Sequence, residues 1–413
     1  MKFSDYRISP EIKKNLSDLG FRRPTDIQYK AITPILRGDD VLAIAQTGTG
    51  KTAAFAIPVI ELINQQKSSN RSESIKCLVM EPTRELALQV TGVFQSVGMN
   101  TRVITECVFG GVDQNPQISL LKNGIDILVA TPGRMFDLVS QGHLILDKIQ
   151  MLILDEADHM LALGFIKDIR QLIHRLPKHR QTLFFSATIN PEIKELAYSL
   201  VINPIRIEIS PKNPVAKNVT HSVAFIAMDD KRFFLERIIK ENPEAKILVF
   251  VRTKVRAERV FNAMKRIEIN TITIHGDKDQ KDRFDVMSQF RNGDVKVLIA
   301  TDVSARGIDI QDVDYVINYD LPDVAENYVH RVGRTGRGDK KGLAVSFCSP
   351  EEKPVLDEIE IFLDQKIKVV EINHDDYSAT IDFSADNPHD WRALIQEESK
   401  SDKLSSRKKK QKK

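Results

Sequence analysis

Val41-Leu-Ala-Ile-Ala45 runs into Gln46-Thr47-Gly48-Thr49-Gly50-Lys51-Thr52, and the apolar stretch Ala53-Ala-Phe-Ala-Ile57 follows without a break. Consecutive apolar residues predict a strand buried on both faces. A glycine-rich turn that opens straight into an apolar helix is the strand-loop-helix context a P-loop requires. The segment fits GxxxxGK[ST] if Ala45 stands in the first glycine position, which then calls for a small residue and not for a positive φ. The glycines let backbone N–H groups face the β- and γ-phosphates of a triphosphate such as ATP, and the helix N-terminus adds partial positive charge. Lys51 supplies a full charge, and Thr52 offers a hydroxyl to Mg²⁺. A glycine-rich turn without ligand is the plainer reading of the loop taken alone.

Outward from this loop, short runs rich in Val and Ile recur between helix-like stretches at 77–80, 125–130, 151–154 and 183–185. The second half repeats the rhythm at 247–251, 271–274, 295–300, 315–318 and 343–347. Continuous rather than alternating runs predict strands covered on both sides, so the fold class is α/β, with two similar domains of mostly parallel sheet flanked by helices. The chain of 413 residues is long enough for two such domains and a tail. Ile209-Ser-Pro-Lys-Asn-Pro-Val-Ala-Lys-Asn218 interrupts both periodicities with two prolines and reads as a flexible linker. The expected division is therefore 1–208, linker 209–218, 219–371, and a mostly disordered tail 372–413.

Hydrophobic residues make up 42% and charged residues 28%, which excludes a fibrous or wholly disordered chain. The net charge of +3 is uneven, because 401–413 carries Lys403, Arg407, Lys408, Lys409, Lys410, Lys412 and Lys413 against Asp402. Such a run attracts polyphosphate backbones without reading sequence, or is a solvated tail. Cys77, Cys107 and Cys348 lie in or beside apolar runs without metal-ligand spacing, which predicts reduced thiols and neither zinc nor disulfides. No stretch approaches the roughly 20 apolar residues that span a bilayer, and the N-terminus lacks an apolar core, so a cytoplasmic protein is expected.

Asp155-Glu156-Ala157-Asp158 follows the run 151–154, so Asp155 should emerge at the carboxyl end of a parallel strand, where α/β sheets bind ligands. There Asp155 would hold Mg²⁺ and Glu156 would orient and deprotonate the attacking water. Taken alone the segment reads equally well as an acidic helix start. Together with the P-loop it points to a nucleotide site.

With both motifs placed, the chain resembles the DEAD-box RNA helicases, from about Phe3 to about Val370, and Asp-Glu-Ala-Asp is itself the signature. The resemblance implies two tandem RecA-like domains, ATP and Mg²⁺ as cofactors, and RNA as partner. Gly20-Phe-Arg-Arg-Pro-Thr-Asp-Ile-Gln28 is similar to the family's Q motif, with Gln28 on the adenine edge, Phe21 near the base, Thr25 in the same pocket and Phe3 as upstream aromatic. Thr25 also reads as a helix cap. Ser186-Ala-Thr188 resembles the motif that ties ATP to RNA, its hydroxyls bonding back to Asp158. In Tyr328-Val-His-Arg-Val-Gly-Arg-Thr-Gly-Arg337, the resemblance makes Arg334 and Arg337 arginine fingers and assigns His330 to coupling. Thr301-Asp-Val-Ser-Ala-Arg-Gly-Ile-Asp309 resembles motif V, with Gly307 and Asp309 toward the nucleotide and Thr301 and Arg306 toward RNA. An Asp302–Arg306 ion pair is the alternative there.

For RNA the first domain offers Pro82, Thr83, Arg84, Gly110, Gly111, Thr131, Pro132 and Arg134. The second adds Arg252, Thr253, His275, Gly276 and Arg283. These groups suit phosphate and sugar contacts, so sequence-independent binding is expected. Singly, each also reads as a cap or turn. Where the family usually has Arg and Asp after the signature, this chain has His159 and Ala162. The compact core and basic tail are most similar to bacterial members of the RhlE-like branch. A monomeric core is expected, and the tail with Trp391 leaves RNA, a ribosomal complex or an RNA-degradation complex open as contacts. The implied cycle is ATP-driven closure that bends RNA and melts short duplexes; an ATP-gated clamp and a DNA translocase are the rivals.

Overall fold

The computed structural model describes residues 1–46, 48–67, 74–209, 215, 218–302, 313–336, 341–382 and 384. The chain forms two compact units that divide at residues 216 and 217. Most of the expected linker 209–218 lies outside the described residues.

The first unit holds seven strands: β1 (Val41–Ala45), β2 (Cys77–Met80), β3 (Thr105–Val108), β4 (Ile127–Ala130), β5 (Met151–Leu154), β6 (Gln181–Ser186) and β7 (Ile205–Ile209). Their order is β3-β4-β2-β5-β6-β1-β7 and the pairs are parallel. Alternate residues of the same strand feed two cores, because side chains alternate across a sheet. Val41, Ala43, Val79, Ile153 and Phe185 pack with apolar residues of the helices Asp26–Arg37, Lys51–Gln66 and Arg84–Val97. Leu42, Ile44, Leu78, Leu154 and Phe184 pack with those of Pro132–Ser140, Ile166–Arg175 and Pro191–Leu200. Burial on both faces explains the unbroken apolar runs.

The second unit repeats the plan with β8 (Val219–Phe225), β9 (Ile247–Val251), β10 (Thr271–Ile274), β11 (Val297–Thr301), β12 (Tyr315–Asn318), β13 (Gly342–Cys348) and β14 (Lys368–Val369). Its order, β10-β11-β9-β12-β13-β8-β14, is that of the first unit strand for strand. Here too the pairs are parallel. Every strand expected from the apolar runs is present. Four were not expected: β3, β7, β8 and β14, which lie at or next to a sheet edge and carry polar residues on a face that meets solvent. The tail departs from expectation as well, since His374–Asp382 is a helix. Its Tyr377 ring lies 5.0 Å from Phe234 and its hydroxyl donates to Asp230 at 2.8 Å, so two specific contacts replace the missing apolar periodicity. Among the described residues no helix is long and apolar enough to cross a membrane.

Candidate active site

In a parallel sheet the chemistry gathers at the carboxyl edge, and the first unit divides that edge in two. One half follows β1, β5 and β6. Ala45 closes β1 with ordinary extended backbone, consistent with a position that needs only a small residue. Gly48 and Gly50 turn the loop at φ +80° and +92°, and a Cβ on Gly50 would stand 2.5 Å from Gln28 Nε2, so glycine is required there. Thr49 Oγ1 donates to the Gln46 carbonyl at 2.7 Å, while Thr47 lies outside the described residues. Lys51 and Thr52 open the helix Lys51–Gln66. Lys51, only 5% exposed, donates to Glu156 Oε1 at 2.9 Å. Burial pulls its pKa down, but the carboxylates of Glu156 and Asp155 more than reverse this and hold the ammonium above its ordinary value.

Asp155 emerges from β5 and accepts from the Glu156 backbone N–H at 2.9 Å. Glu156 itself sits at φ +50°, a left-handed conformation that costs a non-glycine residue of order 1–3 kcal/mol and turns its carboxyl toward the lysine. Burial pushes the Asp155 carboxyl up to about 7, against the pull of Lys51. Beside it stands a group that no sequence motif marks. Glu81, fully buried at the end of β2, has no hydrogen-bond partner among the described residues on either carboxylate oxygen. Burial, then the charges of Asp155 and Glu156, push it well above the ordinary carboxylate range.

Gln28 is 3% exposed. Its Oε1 accepts from the Thr25 N–H at 2.9 Å and its Nε2 donates to the Gly50 carbonyl at 3.2 Å, so it both caps the helix Asp26–Arg37 and holds the P-loop. Phe21 packs edge-on against buried Phe3 at 5.9 Å. The coupling motif requires one correction. Thr188 Oγ1 does donate to Asp158 Oδ2 at 3.2 Å, but Ser186 Oγ donates to the Thr188 carbonyl at 2.8 Å, because a hydroxyl satisfies itself two residues along the same turn.

The other half of the edge, after β2, β3 and β4, collects the first unit's RNA candidates. Thr83 Oγ1 caps the helix Arg84–Val97 by accepting from Leu86 N–H at 3.3 Å, with Pro82 just before it. The Arg84 guanidinium lies so close to Gly111, at φ +76°, that any Cβ there would collide with it; Gly110 faces open space. Thr131 precedes Pro132, which opens its helix, and Arg134 Nη2 donates to the Val112 carbonyl at 2.8 Å while its Nη1 has no partner among the described residues.

In the second unit the corresponding groups are more heavily engaged. Arg252 reaches Asp323 at 3.0 Å and Glu352 at 3.3 Å, and Thr253 caps the helix Lys254–Arg266. Buried His275 meets Glu258 at 2.8 Å, with neighbouring Gly276 exposed. Thr301 ends β11, Arg283 lies on the helix Gln280–Asn292, His330 on Ala325–Val332, and buried Arg334 just beyond it. Arg306, Gly307, Asp309 and Arg337 lie outside the described residues. The alternative of an Asp302–Arg306 pair falls outside the described residues with Arg306; Asp302 itself binds Arg331 bidentately at 2.6 and 2.7 Å. Arg331 is 1% exposed and also donates to the Asp320 carbonyl at 2.7 Å; its partner Asp302 lies 29 residues away, where no local spacing announces it.

This chain matches the family described as DEAD/DEAH box helicase over residues 25–196 and the helicase conserved C-terminal domain over 230–339. It is 39% identical to the ATP-dependent RNA helicase RhlB of Shewanella frigidimarina, over 91% of this chain and 87% of that protein. The chain belongs to the DEAD-box RNA helicases. To the ATP-dependent RNA helicase DbpA of Bacillus subtilis this DEAD-box protein is likewise 39% identical, over 89% of this chain and 76% of that one. Equal likeness to two differently named relatives supports the family and no single branch of it, the RhlE-like one included. The structure of S. cerevisiae Dbp5 bound to RNA and ADP BeF3 superposes with a TM-score of 0.82 at 30% identity, covering 92% of this chain and 97% of that one. The two parallel-sheet units are thus the two helicase domains of the family.

Proposed function

We propose that this DEAD-box protein is an ATP-dependent RNA helicase that melts short duplexes locally and remodels RNA or RNA–protein complexes. The observation that carries this reading is the buried Lys51–Glu156 pair at the mouth of the P-loop. A triphosphate gives the Lys51 ammonium a richer anion than one carboxylate, so nucleotide binding draws Lys51 away and frees Glu156 to orient and deprotonate water. Mg²⁺, when bound, neutralises phosphate charge. The hard oxygens of Asp155 and Thr52 would hold it, and the unpartnered Glu81 oxygens in the same pocket fit a site that needs more positive charge than Lys51 provides.

The RNA candidates after β2, β3 and β4 are backbone-type donors with few groups suited to base edges, in keeping with sequence-independent binding. Arg334 and Arg337 act as arginine fingers, which makes hydrolysis depend on the two units coming together on ATP and RNA. Thr188–Asp158 ties the acidic motif to the loop after β6 and is the proposed route between hydrolysis and RNA. The protein is taken to act in the cytoplasm as a monomeric core, with the tail as a contact for ribosomal or RNA-degradation complexes.

The test is steady-state ATP hydrolysis with and without single-stranded RNA, with matched DNA as control, for the wild type and Glu156→Gln. Hydrolysis stimulated by RNA and reduced about 10²–10⁴-fold in the variant is expected. Equal stimulation by DNA, or full activity in the variant, contradicts the reading.

A further inference from the structure

We propose that Glu81 belongs to the Mg²⁺–nucleotide site as an outer carboxylate, accepting hydrogen bonds from the water shell of the cation held by Asp155; this rests on the ATP reading above. Strand register supplies the geometry. Met80 pairs with Leu154 across β2 and β5, and the Asp155 N–H donates to the Met80 carbonyl at 3.2 Å. Glu81 and Asp155 therefore leave adjacent parallel strands at the same level, and in-register neighbours project to the same side of a sheet. Both are buried, and both lie within electrostatic reach of Lys51 and Glu156.

The charge there does not balance. Among the described residues, the carboxyls of Glu81, Asp155 and Glu156 face the single ammonium of Lys51, and both Glu81 oxygens lack a hydrogen-bond partner. A buried carboxyl left in that state is costly unless something else in the working protein meets it. The second unit supplies the control. There the equivalent register, one step past the Phe250–Asn318 pairing, places Val251 beside Tyr319, and Asp320 follows. Lys231 at 3.8 Å and Arg256 at 3.5 Å flank Asp320. Where the first unit has an unpartnered acid, the second has the apolar Val251, and the aspartate that follows is balanced from within the chain.

A divalent cation is the ligand class that balances the first unit. Mg²⁺ takes oxygen ligands, keeps several of its waters and is held by one or two carboxylates with substrate phosphates. Among the described residues no group of three His, Cys, Asp or Glu side chains forms a direct cage. Glu81 therefore acts through water, as residues that orient a metal's inner ligands do.

The experiment titrates free Mg²⁺ into wild type, Glu81→Gln and Glu81→Ala with a fluorescent ADP analogue, and follows thermal unfolding without nucleotide. In both variants the Mg²⁺ midpoint is expected to rise about ten-fold. Nucleotide binding should recover at saturating Mg²⁺, and nucleotide-free Glu81→Gln should melt higher, its unpartnered acid gone. A purely structural Glu81 moves the melting temperature alone, and an unchanged Mg²⁺ midpoint overturns the inference while wild-type binding leaves the ATP reading intact. A wild type that binds no nucleotide at any Mg²⁺ concentration overturns both. Glu81→Ala decides the matter should Glu81→Gln not fold.

Discussion

Lys51 and Lys231 each open the helix that follows the first strand of their unit, and both are buried, yet they are held by opposite means. Lys51 bonds a single carboxylate, Glu156, at 2.9 Å. Lys231 donates to Glu352 at 2.5 Å and to the Tyr319 carbonyl at 2.7 Å, with Asp320 close by. On the same strand order, the second unit has filled with its own acids the corner that the first keeps for phosphates. A lysine with one exchangeable partner is a receptor, and a lysine with saturated partners is a strut. The same contrast runs through Arg331–Asp302 and His275–Glu258, which engage charged groups internally, against Glu81 and Arg134 Nη1, which do not.

The contrast breaks most directly at Lys231. Lys231→Met leaves Glu352 and Asp320 buried without their ammonium, and urea unfolding should report a loss of about 3–5 kcal/mol in the second unit. A loss near zero would make Lys231 dispensable and the strut reading wrong. A smaller effect sharpens what the units share. Thr83 and Thr253 cap equivalent helices at 3.3 and 3.2 Å, so Thr83→Ala and Thr253→Ala should each cost about 1 kcal/mol of stability, although one loop serves an open site and the other an engaged one. Markedly unequal losses would mean that the shared strand order does not extend to the loops.

The smallest effect concerns pH. His221 lies between Tyr328 Oη at 3.0 Å and Gln365 Nε2 at 3.3 Å, and burial holds its pKa below the ordinary 6.5. As pH falls through that ordinary value the unfolded chain binds the proton before the folded one does. The stability His221 contributes is thus full above it and declines below it. The urea midpoint of the second unit should drop between about pH 7.5 and about pH 5.5, and His221→Gln should flatten that slope.

The buried strands and the two nucleotide motifs were legible because each rests on neighbours in the chain: an unbroken apolar run, a glycine turn before a lysine, acids directly after a strand. What escaped was decided across the chain. Glu81 directly precedes Pro82-Thr83-Arg84 and resembles any charged residue at a strand end until register sets it beside Asp155. Arg331 finds Asp302 through the fold and not through spacing, and Lys231 carries no loop motif to mark it. The helix His374–Asp382 hides in polar sequence because its attachment depends on Tyr377 and on Thr380, which meets Arg237 at 2.7 Å. Strands at the edges escaped because solvent on one face breaks the apolar run.

The strand order also bears on how the protein is made. β1, which carries the P-loop, pairs with β6 and β7, whose residues lie at 181–186 and 205–209. The ribosome therefore completes well over a hundred residues after the phosphate loop before either lateral neighbour of that strand exists. In the interval β2 can find β4 and then β5, so the part of the sheet lined with RNA candidates assembles ahead of the part that handles ATP. Non-local pairing of this kind is slow and leaves apolar strand exposed. A nascent chain halted before residue 181 would thus lack a nucleotide site even with its entire P-loop synthesised.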